Sequence, residues 1–324
     1  MRYINELIDE KRIAEHAEGR VLLPGRSLLH DSCRINLLAL GDVGGTVLLG
    51  LRLLGGGTVS EIGIYDLNEK MMRRYEREIN QVCFPDGREL PYVKMLKEEE
   101  LFDCDMFVFC ASRGVPPVGA EGDVRMAQLE ANSSLVSVYA EKAADSGFEG
   151  VFAVVSDPVD PLCKAAVISG LDAVQVQGYG LGVMNGRASY FAHRDERFAG
   201  YLKDGRAFGP HGEDLVIADS IRNYDDELSK ELTRLTVNSN MDTRADGFKP
   251  YIAPAMSSGA VSLLATLKGE WNYSSVYLGA GTDGAFLGCR NRRTPEGIEL
   301  EDLPLDEKLF ERIKNAYDNL RKMK

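Results

Sequence analysis

The chain has 324 residues, with 38 Lys plus Arg against 50 Asp plus Glu, a formal net charge of −12. That balance excludes a broad basic surface for nucleic acid. A composition 44% hydrophobic and 27% charged excludes disordered and collagen-like chains and fits a globular protein of about two domains. The six cysteines (Cys33, Cys83, Cys104, Cys110, Cys163 and Cys289) form no C-x-x-C pair and none neighbours a histidine, so they read as free thiols with no metal site. The charged N-terminus lacks a signal-peptide core, and no apolar run reaches the ~18 residues of a membrane helix. A cytoplasmic protein is expected.

Residues 1–33 read as an N-terminal arm, with Ile4, Leu7, Ile8 and Ile13 at roughly helical spacing. From Ile35 to Leu40 the chain is continuously apolar and stops at Gly41; Val43–Leu54 then reads as a helix. Glu61–Asp66 is a second strand, Asn68–Val82 an amphipathic helix, and Met106–Ala111 a third strand. A helix over Val124–Ser146, a strand over Val151–Val155 and a helix to about Ser169 follow. Apolar strands alternating with helices predict an α/β fold, a doubly wound parallel sheet covered on both faces, over residues 34–178. The remainder, 179–324, reads as an α+β unit. Lys203-Asp204-Gly205 is a predicted hairpin turn, helices are expected near 224–238 and 255–268, and a strand over Val276–Leu278. Asp306 is placed to cap a last helix carrying Leu309, Ile313, Tyr317 and Leu320.

The strongest local signal is the turn Ala39-Leu40-Gly41-Asp42-Val43-Gly44-Gly45. A glycine turn between a buried strand and a helix lets backbone N–H groups approach a pyrophosphate, and the helix N-terminus stabilises its charge. Gly41 and Gly44 fit the second and third glycines of the G-x-G-x-x-G pattern, and Ala39 stands at the first. Asp66 ends the next strand about 25 residues on, where a carboxylate accepts hydrogen bonds from both ribose hydroxyls of NAD and repels the extra phosphate of NADP. Asp42, Val43 and Ala111, at the ends of the first and third strands, complete the expected cofactor residues.

Three further residues suit acid–base and anion chemistry. His211 lies in the turn Gly209-Pro210-His211-Gly212, away from any helix core, and imidazole exchanges protons near neutral pH. Arg125 opens a helix after a long loop containing Val118-Gly119-Ala120, and Arg187 sits in Gly186-Arg187-Ala188. A guanidinium binds a carboxylate through two parallel bonds or polarises a carbonyl.

The order of these motifs resembles the lactate/malate dehydrogenase family. The resemblance runs from about Ile35 to the C-terminus: GDVGG, the acid after EIGIY, Arg125 to Asn132, the Ser156–Asp160 stretch, Gly178-x-Gly180 leading to Arg187, GPHGE, and YLGAG followed by EGIEL. It implies a Rossmann-type NAD-binding domain followed by a catalytic domain. His211 would be the proton donor and acceptor, Arg125 would polarise the substrate carbonyl, and Arg187 would hold the substrate carboxylate. Ser257 would be the small hydroxyl residue near nicotinamide and substrate. NAD, a 2-oxo or L-2-hydroxy acid, and a homodimer or homotetramer follow from the same resemblance.

Three departures stand out. The family pairs its histidine with an Asp one turn before the substrate-binding Arg, where this chain has Met184 and, beside it, Asn185. The family's S-N-P-V carries Asp157 in place of Asn. The loop before Arg125 is longer. Asp157 therefore has two readings: it restores a carboxylate to His211, or it caps the helix that starts at Pro158. Val118-Gly119-Ala120 offers no arginine for a second carboxylate, so a neutral substrate side chain is expected. The alternative to an NAD-dependent 2-hydroxy-acid dehydrogenase is a protein of the same fold that binds dinucleotide without ordinary turnover. The metal-using NAD-dependent glycosidases of the superfamily are disfavoured by the cysteine and histidine spacing.

Overall fold

The computed structural model describes residues 1–25, 32–113, 124–281 and 283–323, with backbone alone for 124–128. Helices and strands alternate through the first half. They are β3 (Cys33–Leu38), α1 (Asp42–Leu54), β4 (Val59–Tyr65), α2 (Glu69–Asn80), β5 (Tyr92–Met95), β6 (Met106–Phe109), α3 (Val124–Asp145), β7 (Val151–Val154), α4 (Val159–Ile168) and β8 (Val176–Gly178). They are preceded by β1 (Glu15–Ala17) and β2 (Arg20–Pro24). The second half contains α5 (Leu181–Arg194), α6 (Tyr201–Asp204), β9 (Arg206–Phe208), β10 (Val216–Ala218) and α7 (Asp226–Ala245). A π-helical segment (Pro254–Val261) then leads into α8 (Ser262–Leu267), β11 (Asn272–Tyr277), β12 (Phe286–Thr294), β13 (Gly297–Glu301) and α9 (Glu307–Lys322).

One eleven-stranded sheet runs β1-β2-β13-β12-β11-β8-β7-β6-β3-β4-β5. Its β5-β4-β3-β6-β7-β8 section is parallel throughout, and its order reverses at β3/β6, the crevice where doubly wound sheets take their ligands. The strands there are apolar because both faces are covered: every residue of β6 and β7 is buried. One face packs α1, α8 and the π segment over Ile35, Leu37, Ile62 and Val108. The other packs α3 and α4 over Phe107, Phe109 and Phe152. The parallel section joins the antiparallel one through a single residue pair, Gly178 with Ser275.

The described residues of the arm pack on the body: β2 pairs along β13, and Ile4, Ile8, Val21 and Leu23 are buried against the C-terminal half. The helical spacing of Ile4 and Leu7 is spent on one 3₁₀ turn, Ile4–Leu7, before the alternation of Val21 and Leu23 sets a strand. The predicted hairpin is displaced. Tyr201–Asp204 is a helical turn closed by Gly205, and the ribbon is β9 with β10, so the turn between them carries His211. Gly205 is needed there because a Cβ would lie 2.2 Å from the Tyr201 ring. Asp306 caps α9 as expected, accepting from the Lys308 amide at 2.8 Å. Among the described residues no helix is long and apolar enough to cross a membrane.

Candidate active site

The C-terminal ends of β3, β6 and β7 open into a cleft of about 180 Å³. It is lined by Val43 and Cys110 from the nucleotide side, Ser156 and Asp157 after β7, Gly180 and Val183 at the start of α5, His211, and Pro254 and Ser258 of the π segment.

The glycine turn is built for close backbone approach. Gly41 leads into α1 with no side-chain cap, so the first-turn amides of α1 face outward. A Cβ on Gly41 would meet nothing within 4 Å, whereas one on Gly44 would lie 1.9 Å from the Ala39 carbonyl oxygen. Ala39 itself is held at φ 74, the left-handed conformation that favours glycine. Asp66 ties this turn to β4, accepting from the Leu40 amide at 2.8 Å and from the Asn68 amide at 2.8 Å. Its carboxylate keeps further lone pairs for hydroxyl donors. Asp42 is exposed and pairs with Lys249 at 3.0 Å, and Ala111 accepts from the Ser156 hydroxyl at 2.8 Å. The open Gly41, the uncapped α1 and the carboxylate at the end of β4 fit a dinucleotide.

His211 reaches the cleft from the β9–β10 turn. Its Nδ1 lies 3.2 Å from Asp157 Oδ1. Asp157 is therefore not the cap of α4: Pro158 holds that position and no side chain caps it. Loss of surrounding water would raise the Asp157 carboxyl, but the charge and hydrogen bond of His211 and the charge of Arg187 outweigh it and hold the group below its ordinary value. Asn132 fixes the backbone here, donating to the Asp157 carbonyl at 2.8 Å and accepting from the Arg113 amide at 3.0 Å.

Arg187 is buried on α5, where desolvation lowers its pKa against the opposing charge of Asp157. It forms no ion pair among the described residues, and its contact there is with Met184 Sδ at 3.6 Å. Met184 belongs to an apolar cluster, and Asn185 accepts from the Tyr201 hydroxyl at 2.8 Å, so neither serves His211. Arg125 opens α3, but its side chain, like Val118-Gly119-Ala120, lies outside the described residues.

Ser257 lies in the π segment against α5, where a Cβ on Gly182 would come 2.7 Å from its carbonyl oxygen. The neighbouring Ser258 pins the two elements, accepting from the Val183 amide and donating to the Gly180 carbonyl, each at 2.8 Å. Nothing in the sequence marks Ser258 or Asn132 for these roles, because a buried serine or asparagine has no telling spacing. Asp160 was likewise unassigned. It is buried in the first turn of α4, three residues after Asp157, and that spacing was the available signal. Among the described residues no group of three or more His, Cys, Asp or Glu is placed to hold a metal ion.

Residues 33–178 match the lactate/malate dehydrogenase NAD-binding domain family. Over that stretch, somewhat less than half of its length, the chain is similar to the NAD-binding domain of that family. An L-lactate dehydrogenase of Corynebacterium glutamicum is 26% identical, aligning 90% of this chain with 96% of that protein. One from Staphylococcus haemolyticus is 24% identical across 71% and 79%. Two solved structures share the fold. A lactate dehydrogenase from a Medee basin deep-sea metagenome library has TM-score 0.73 and 19% identity, covering 91% of this chain and 98% of that one. A malate dehydrogenase from Archaeoglobus fulgidus in complex with NADH has TM-score 0.73 and 18% identity, covering 90% and 98%. The family is one of NAD-dependent dehydrogenases, and NAD is the cofactor of the 33–178 domain.

Proposed function

We propose that the protein interconverts a 2-oxo acid and the corresponding L-2-hydroxy acid, with a neutral substrate side chain. The observation that carries this reading is the meeting of His211 Nδ1 with Asp157 at 3.2 Å, in one cleft with the nucleotide turn and near the buried Arg187. The outward amides of Asp42–Gly44 would hold the dinucleotide phosphates, Asp66 its ribose, and Val43 and Ala111 its flanks. When bound, NAD accepts or supplies the hydride.

The chain's own residues do the rest. Arg187 has a desolvated fork with no carboxylate already paired to it among the described residues, which suits the carboxylate of the substrate. Asp157 orients the imidazole and stabilises its protonated form, the work that the family gives to an acid on the helix where this chain has Met184. His211 gives a proton to the carbonyl oxygen during reduction and takes it back during oxidation, while its Nδ1 stays held by Asp157. Arg125 would polarise that carbonyl, and Ser257 would flank the reacting carbons. The ionised Asp157 disfavours a second negative charge on the substrate beside it.

NADH oxidation against pyruvate, oxaloacetate, branched-chain and aromatic 2-oxo acids tests the reading. Turnover is expected with a monocarboxylic member. His211→Gln is expected to lower kcat about 10²–10⁴-fold with NADH binding retained. Silence across the panel, with NADH still bound, would instead identify a dinucleotide-binding protein without turnover.

A further inference from the structure

The first turn of α1 carries a carboxylate where a diphosphate is to be held. Asp42 opens the helix and its side chain is half exposed. A helix N-terminus bears roughly half a positive charge, which draws anions to its free amides. The full negative charge of Asp42 reverses that sign. The turn by itself therefore repels the group that its backbone is shaped to take, and a chain of net charge −12 gives no relief from a distance.

The reversal is undone from the other half of the chain. Lys249 Nζ lies 3.0 Å from Asp42 Oδ2, across 207 residues of sequence. The backbone around Lys249 is held on both sides. Beyond α7, Gly247 takes the left-handed conformation at φ 87 that closes a helix. The Gly247 amide donates to the Arg244 carbonyl and the Phe248 amide to the Thr243 carbonyl, each at 3.0 Å. On the other side, the Tyr251 amide donates to the Lys249 carbonyl at 3.0 Å. The π segment that follows is pressed on α1: a Cβ on Gly50 would lie 2.5 Å from Ala260 Cβ, and one on Gly259 2.6 Å from Val47 Cγ2. Close packing of these elements thus delivers the lysine to the turn.

The ammonium is not used up there. It has three donors, Asp42 occupies one, and the side chain is 82% exposed. An exposed ion pair contributes little to folding, so stability does not account for the pair. With Lys249 in place the turn is again positive by roughly half a charge; without it the turn is negative by about as much.

We propose that Lys249 is a cofactor-binding residue: held by Asp42 at the first turn of α1, its ammonium bonds the diphosphate of the dinucleotide and cancels the charge of Asp42. The same segment runs on to Pro254 in the wall of the cleft, so the lysine ties the cofactor's phosphates to that wall. The inference rests on the dinucleotide lying at the α1 turn and is indifferent to the substrate.

Calorimetric binding to the whole protein tests it, with NADH, ADP-ribose and adenosine as probes. Lys249→Ala is expected to weaken NADH and ADP-ribose about tenfold, with a loss that shrinks as salt is raised. Affinity for adenosine, which has no phosphate, should stay unchanged, and Lys249→Arg should keep most of the NADH affinity. Asp42→Asn is expected to tighten NADH, and adding Lys249→Ala to it should still weaken binding several-fold. Unchanged NADH affinity in Lys249→Ala overturns the proposal. So does an equal loss for adenosine, which would mean a disturbed fold. A loss that vanishes in the Asp42→Asn background also overturns it, because Lys249 would then only screen a carboxylate. Failure of the wild type to bind NADH would remove the cofactor placement and this inference together, whereas the Lys249 outcomes remove this inference alone.

Discussion

At the residue scale, the site has two acids and a guanidinium whose environments oppose one another. Asp160 is raised from 3.8 to about 7, so the folded state favours its protonated form. The stability it contributes is complete below 3.8 and is lost as pH rises through about 7. Asp160→Asn removes that loss, so the variant's Tm relative to wild type should climb as pH passes from acid to neutral; thermal melts over a pH series check this. Asp157 behaves oppositely: its depressed value keeps the carboxylate charged below the ordinary Asp range, and its pairing with His211 fails only as pH falls through that lowered value. Asp157→Asn should cost turnover about 10²–10⁴-fold, as loss of a histidine's carboxylate partner does elsewhere, with NADH affinity kept. Unchanged turnover and pH profile would refute that role. Arg187→Lys replaces a planar fork by a point charge in a buried position. It should raise KM for the 2-oxo acid by more than tenfold at about 1.4 kcal/mol per decade, read from steady-state kinetics.

At the element scale, the turn between β3 and α1 shows how a family pattern tolerates a substitution. Ala39 occupies a left-handed conformation costing roughly 1–2 kcal/mol for a residue with a side chain. Ala39→Gly relieves that and loses about 0.4–1 kcal/mol through a freer unfolded chain. A net gain of about 0.5 kcal/mol is expected, measured as a higher urea midpoint with unchanged slope. The elements with strong periodicity were legible in the sequence: β3, β4, β6 and β7 as apolar runs, α2 and α9 by their amphipathic spacing. β5 and β8 were not. They have four and three residues, too short to show a period, and become strands only because β4 and β7 offer edges. The β9–β10 ribbon was misplaced because Lys-Asp-Gly is turn-like chemistry that here ends a helix. The cofactor turn, His211 and Arg187 could be seen as chemistry in sequence. The contact of Asp157 with His211 could be offered only as one of two readings, because 54 residues separate them and only tertiary packing chooses.

At the scale of the whole molecule, the first 24 residues are part of the body rather than an appendage. Arg12 donates to the Tyr277 and Gly279 carbonyls at 2.9 and 2.6 Å, and Asp302 binds His16 at 3.0 Å. Leu23→Ala, at a fully buried position on β2, should destabilise the chain by about 2–5 kcal/mol. Denaturant unfolding should show one transition shifted as a unit; a separate early step would mean that β1 and β2 detach alone. The sheet that includes them is continuous, and its parallel and antiparallel sections meet as strands at one residue pair, Gly178 with Ser275, braced by Gln177 on Ser274 and Asn291. Near that seam Ser275 bonds Asp160, and Asp157 follows β7 of the parallel section while His211 comes from the separate β9–β10 ribbon. The chemistry is thus written across a seam between two halves of the chain whose cores interlock through the π segment and α8. A chain cut there and expressed as two polypeptides would have its reunion reported by the reaction itself, since neither fragment holds both the histidine and Asp157.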